Sequence, residues 1–196
     1  MVKQGSSNLS VAYIIIGAGG AGKTTYVEKL KEKLKDFIII SRDLSRAKVL
    51  EERRVKKILR PQDIAEPPPS DIAKTINDVF HQSIREASDR GQNMIIERSH
   101  THPKGRAETL KSIVGQYKKI AVVLETDINQ SLQSILYRDV TRIQGSIPPG
   151  LTPFRVTRKA VEDYKEPTLA EGFDEIIFTR LKAQSAAKAE SKRPTR

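Results

Sequence analysis

The run Gly17-Ala-Gly19-Gly20-Ala21-Gly22-Lys23-Thr24 follows the apolar stretch Val11-Ala-Tyr-Ile-Ile-Ile16 and has the G-x-x-x-x-G-K-[ST] spacing of a phosphate-binding loop. Its chemistry is the capture of a nucleoside triphosphate. Glycines admit positive φ, so successive backbone N–H groups can turn inward around phosphate oxygens at the positive end of the helix that opens near Gly22. Lys23 is placed to reach the β- and γ-phosphates. Thr24 offers a hydroxyl to Mg²⁺, a hard cation that keeps most of its waters and needs one or two protein oxygens beside the phosphates. Gly17, Gly19, Gly20, Ala21, Gly22, Lys23, Thr24 and Thr25 are therefore the expected nucleotide ligands, with ATP and Mg²⁺ as the small molecules bound. A glycine-rich turn without function is the alternative, and the motif positions and both flanks agree against it.

A second candidate is Asp43, three residues past Ile40 at the end of another β-branched run, Phe37-Ile-Ile-Ile40. A carboxylate there can accept a hydroxyl proton while a phosphoryl group moves in line. An aspartate at that place can equally cap the helix that follows. Position alone leaves both readings open.

These residues need a scaffold, and the periodicity supplies one. Apolar runs at 11–16, 37–40, 93–97, 120–124 and 175–178 read as five strands. Between them, helices are expected from about Ala21 to Lys35, Leu44 to Leu59, Ser70 (as N-cap) to Arg90, Pro103 to Tyr117, Ile128 to Ile143 and Pro153 to Lys165, with breaks at Pro61–Pro69 and Gly145–Gly150. Alternation of this kind predicts an α/β fold: a parallel sheet of about five strands covered on both faces, in three layers. Ligands of such sheets lie at the carboxyl ends of the strands, so Gly17–Thr24, Ser41–Asp43 and Glu97–Ser99 should converge on one crevice.

The chain has 196 residues, no cysteine, and 35 basic against 24 acidic side chains, a net +11. Its length suits one domain, expected over 11–180, after a loose start at 1–10 and before a basic tail at 181–196. The absence of cysteine excludes thiol chemistry and fits a reducing, cytoplasmic setting, and the start lacks the apolar core of a signal peptide. The surplus of positive charge predicts a polyanionic partner, nucleic acid above all. From Arg180 onward six cations stand against Glu190 alone, so the tail carries part of the excess and the body the rest. Within the body, 42–60 holds eight cations against Asp43, Glu51 and Glu52.

The sequence resembles the polynucleotide 5′-hydroxyl kinases of phages and of DNA or RNA repair, within the small P-loop kinases. The resemblance rests on Gly17–Thr24, on Ser41-Arg42-Asp43-Leu-Ser-Arg46 twenty residues beyond Lys23, on Arg138-Asp-Val-Thr-Arg142 and on Pro167-Thr-Leu-Ala-Glu171-Gly-Phe-Asp-Glu-Ile176. It implies a P-loop kinase fold with a helical lid and ATP-dependent phosphorylation of a nucleic-acid hydroxyl, most simply a 5′ end. It also implies that Lys23, Asp43 and Arg142 are catalytic, that Arg42 and Arg46 hold the acceptor phosphate, and that Arg138 and Arg142 close over the triphosphate. Glu97 would hold a magnesium-bound water. Where the family has an Asp-Thr-Asn type of run, this chain reads Glu97-Arg98-Ser99-His100. His100 and His102 read as loop residues rather than metal ligands. The Asp-x-Asp-x-Thr phosphatase motif of bifunctional relatives is absent. Similar phage kinases that phosphorylate hydroxymethyluracil in DNA share the same motifs, and a small-molecule kinase or a nucleic-acid-binding ATPase are further alternatives.

Overall fold

The computed structural model describes residues 9–59, 69–125, 127, 129–134 and 154–180. Five strands form one sheet: β1 Ser10–Ile16, β2 Phe37–Ser41, β3 Asn93–Glu97, β4 Tyr117–Leu124 and β5 Glu175–Thr179. Their order is β2-β3-β1-β4-β5 and every pair is parallel. The helices are α1 Lys23–Lys33, α2 Arg42–Leu59, α3 Pro69–Asp89, α4 Pro103–Ser112, α5 over 129–134 and α6 Phe154–Glu162.

The period of two along β1 divides the core. Ala12, Ile14 and Ile16 pack on one side with Phe80 and Ile84 of α3 and Leu110 of α4, while Ile15 faces Val27 of α1 on the other. Both faces of a central strand are thus buried, as a parallel sheet requires. Register brings the ends together, because Glu97 pairs with both Ile15 and Ser41. Among the described residues no helix is long and apolar enough to cross a membrane.

The expected fold and its five strands are present, with local corrections. α1 begins at Lys23 rather than Ala21, since Gly22 is left-handed at φ 80°. Helix α2 begins at Arg42 rather than Leu44, so Asp43 lies inside its first turn. Helix α3 starts at Pro69, which puts Ser70 within the helix rather than at its cap. Helix α4 stops at Ser112, five residues before the expected Tyr117: Ile113 is already extended, the chain then turns through Gly115 at φ 79°, and β4 begins at Tyr117. The expected N-terminal arm, apart from residues 9 and 10, the 145–150 break and the tail lie outside the described residues, as do Arg138 and Arg142.

Candidate nucleotide and acceptor site

The loop after β1 is shaped by backbone bonds. Gly17 N–H donates to Ser99 O at 2.9 Å, which ties it to the loop after β3. A Cβ on Gly17 would lie 3.2 Å from the Ala21 Cβ, a contact tight enough that the loop would have to shift to accept a side chain there. Gly20 and Gly22 have φ of 78° and 80°, the left-handed region that other residues avoid. Lys23 Nζ donates to Gly17 O at 3.0 Å and Ala18 O at 2.8 Å, folding over the mouth of its own loop. Phosphate oxygens arriving there would give the ammonium stronger, charge-assisted partners than these carbonyls.

Thr24 Oγ1 donates to Glu97 Oε1 at 3.1 Å. A hydroxyl and a carboxylate side by side at the loop are the oxygen donors a hard cation takes, so this pair fits Mg²⁺. Among the described residues no group of three or more His, Asp or Glu is placed to hold a metal ion.

The start of α2 bears on the capping role considered for Asp43. Ser41 Oγ accepts from Asp43 N–H at 3.2 Å, so the serine serves as the capping side chain. The Asp43 side chain is exposed. Arg42 is half-buried and its Nε donates to Asn77 Oδ1 at 3.0 Å. Desolvation lowers its pKa, followed by repulsion from Arg46 and Arg98. Arg42 therefore feels two other guanidiniums at this edge, with Arg46 exposed one turn beyond it.

Arg98, where the resembling kinases have a short polar residue, lies 5.9 Å from the Phe80 ring centroid and 3.9 Å from Glu108 Oε2. Its Nη1 is buried without a hydrogen bond. Desolvation depresses its pKa, and Glu108 partly offsets this. With Ser99, Thr101, Lys104 and Glu108 it lines a cleft of about 260 Å³. A larger cleft of about 410 Å³ lies between Gly17, Ala18, Gln130, Val161, Tyr164 and Phe178.

Sequence reasoning missed His100 and Arg106. His100 lies in the loop after β3, as expected, but it is fully buried there at φ 51°, with Nδ1 3.1 Å from Ile15 O and Nε2 2.8 Å from Thr109 Oγ1. Facing a carbonyl, Nδ1 must carry the proton and Nε2 accept from the threonine. Burial pushes the pKa down to about 3. His102 caps α4, its ring accepting from Lys104 N–H. Arg106 is fully buried and pairs with Glu171 at 2.7 Å. An arginine in a helix reads from sequence as a solvated cation, so nothing local marked it.

The AAA domain family model matches residues 13–167, most of the chain. The chain belongs to the AAA domain family. This AAA domain is similar to a putative kinase from Chloroflexus aurantiacus, at 15% identity and a TM-score of 0.61 over 89% of this chain and 87% of that one. It is also similar to a chain of the Pnkp1/Rnl/Hen1 RNA repair complex, at 13% identity and a TM-score of 0.59, with 83% of this chain covering 46% of that one. It thus spans less than half of that chain's length. A gluconokinase from Sinorhizobium meliloti matches at 13% identity and a TM-score of 0.53, over 92% of this chain and 87% of that one. No curated protein sequence matches the chain. At these identities the likeness carries the fold, a P-loop kinase-like α/β architecture.

Proposed function

We propose that this AAA domain is an ATP-dependent kinase that transfers the γ-phosphoryl group to a hydroxyl on nucleic acid, most simply the 5′ end of a polynucleotide. The observation that carries the reading is the start of α2: Ser41 caps the helix, and Asp43 is left exposed in the first turn, just past the carboxyl end of β2. In this reading Asp43 takes the proton of the acceptor hydroxyl. The acceptor oxygen bonds to the γ-phosphorus, and the bond from that phosphorus to the β–γ bridging oxygen breaks, leaving ADP. Lys23 exchanges its loop carbonyls for β- and γ-phosphate oxygens. Thr24 and Glu97 would hold Mg²⁺, which when bound neutralises charge on the phosphates. The nucleoside half of ATP would occupy the 410 Å³ cleft, and Arg138 and Arg142 would close over the triphosphate.

The acceptor strand would lie against Arg46 and Arg42, and the net charge of +11 suits a polyanion better than a small neutral substrate. One observation favours a second reading. Leu44 is 59% exposed directly after Asp43 and offers an apolar platform on which an extruded base could stack, with a hydroxymethyl group on uracil as acceptor.

The test supplies γ-labelled ATP with a hydroxyl-ended oligonucleotide, a 5′-phosphorylated oligonucleotide carrying hydroxymethyluracil, and a free nucleoside. Label in the first alone supports end phosphorylation, and label in the second moves the enzyme to base modification. A nucleoside that matches either, without salt dependence, contradicts a nucleic-acid acceptor, and release of free phosphate alone makes the protein an ATPase.

A further inference from the structure

The Pro167–Ile176 run takes no part in the chemistry above, yet Glu171 within it closes a buried network that reaches the phosphate loop. Its carboxylate accepts from Arg106 Nε at 2.7 Å and Nη2 at 2.8 Å, and from Thr168 N–H at 3.2 Å. Arg106 spends its other bonds on carbonyls: Nη1 donates to His100 O at 3.0 Å and to Lys165 O at 2.8 Å, and Nη2 to Glu166 O at 3.4 Å. Lys165 N–H donates to Thr101 O at 3.0 Å. His100 then reaches Ile15 O at the end of β1, and its neighbour Ser99 accepts from Gly17 N–H. Connected bonds therefore run from the first residue of the phosphate loop to segment 164–171. Both ends line the 410 Å³ cleft, Gly17 and Ala18 on one side and Tyr164 and Glu166 on the other.

A buried ion pair is a poor source of stability, since apolar residues of similar volume often do as well. What a guanidinium adds is a planar fork that fixes several acceptors in one geometry. Here the acceptors are three carbonyls and a carboxylate, one on the loop after β3, which is bonded to the phosphate loop, and three on segment 165–171. We propose that Arg106, clamped by Glu171 and hung on His100, is a positioning residue for the nucleotide. It holds the wall that receives the nucleoside at a fixed distance from the loop that receives the triphosphate. This rests on reading the loop and the cleft as one nucleotide site. With the wall fixed beforehand, nucleoside contacts add to those of the phosphates without a cost for ordering the cleft.

Titration calorimetry on the full chain with Mg-ATP and with Mg-tripolyphosphate, which touches the loop alone, separates positioning from mere packing. Wild type should bind ATP more tightly than tripolyphosphate. Glu171→Gln and Arg106→Lys should each weaken ATP by roughly three- to thirtyfold, the range for residues that couple two parts of a site, with tripolyphosphate unchanged. Should Arg106→Lys not fold, Glu171→Gln carries the same ratio, because its amide oxygen still accepts from Thr168. A parallel loss for both ligands, a fall in Tm with neither affinity altered, or a wild type that binds both ligands equally would overturn the proposal. The assay contains no acceptor. Failure to phosphorylate oligonucleotides therefore leaves it standing, and phosphorylation by a wild type whose variants keep the ATP-to-tripolyphosphate ratio sinks the brace alone.

Discussion

Two loops leave adjacent strands and touch through the Gly17–Ser99 hydrogen bond, yet they are built on opposite logic. The loop after β1 faces outward to a ligand: its glycines adopt left-handed φ and its lysine lies over the opening. The loop after β3 turns its histidine inward, with His100 buried and its carbonyl held by Arg106. The first is constrained by the shape of phosphate, which is the same in every protein, so its spacing can be read in a sequence. The second is constrained by this chain's own interior, and its residues announce nothing.

Removing the outward cation should give the largest effect. Lys23→Ala should abolish phosphoryl transfer and weaken triphosphate binding, because its charge sits at the loop opening. Near-normal turnover would remove the site assignment. Next, Arg142→Ala should lower kcat by roughly 10²–10³-fold with the acceptor KM little changed, as for a contact realised mainly in the transition state. A rise confined to the acceptor KM would take Arg142 out of the lid.

Arg46→Ala addresses the acceptor edge. It should raise the acceptor KM and flatten the dependence of log affinity on log salt by about one unit, with ATP binding unaltered. An unchanged slope would mean that Arg46 touches no phosphate.

The smallest effect belongs to the inward loop and is read as stability against pH. The folded-state pKa of His100 is about 3, below its ordinary value near 6.5. The unfolded chain therefore gains a proton as pH falls below about 6.5 while the native protein does not. Stability present above that point is lost on acidification, by up to about 1.4 kcal/mol per pH unit. The Glu171 carboxyl, held low by its hydrogen bond to Arg106, contributes in the same direction only at lower pH, below the usual glutamate range. His100→Asn, a residue that tolerates positive φ, should be less stable at pH 7 and show a flatter fall of Tm between pH 7 and 5. An equally steep fall in the variant would contradict a buried neutral imidazole.

The pattern of legibility follows from the same contrast. The five strands were readable because a parallel sheet buries both faces and so needs unbroken β-branched runs such as Ile14-Ile15-Ile16. The end of α4 was not, because Ile113 and Val114 continue an apolar pattern although Ile113 has already left the helix for extended backbone. Thr24 and Glu97 were separately expected to serve the metal, and their hydrogen bond joins them. The roles of Ser41 and Asp43 could not be divided from sequence, since both are good capping residues and only the bond from Asp43 N–H to Ser41 Oγ separates them. Arg106 and Glu171 are 65 positions apart, and no local pattern joins them.

The central claim is that Asp43 acts on the acceptor rather than on its own helix, and Asp43→Asn tests it most directly. Transfer of label from γ-labelled ATP to a hydroxyl-ended oligonucleotide should be measured beside the Tm and ATP affinity of the same protein. The account predicts a loss of roughly two to four orders of magnitude in turnover, with Tm and ATP affinity retained because Ser41 supplies the cap. A variant that loses thermal stability while its turnover survives would contradict it.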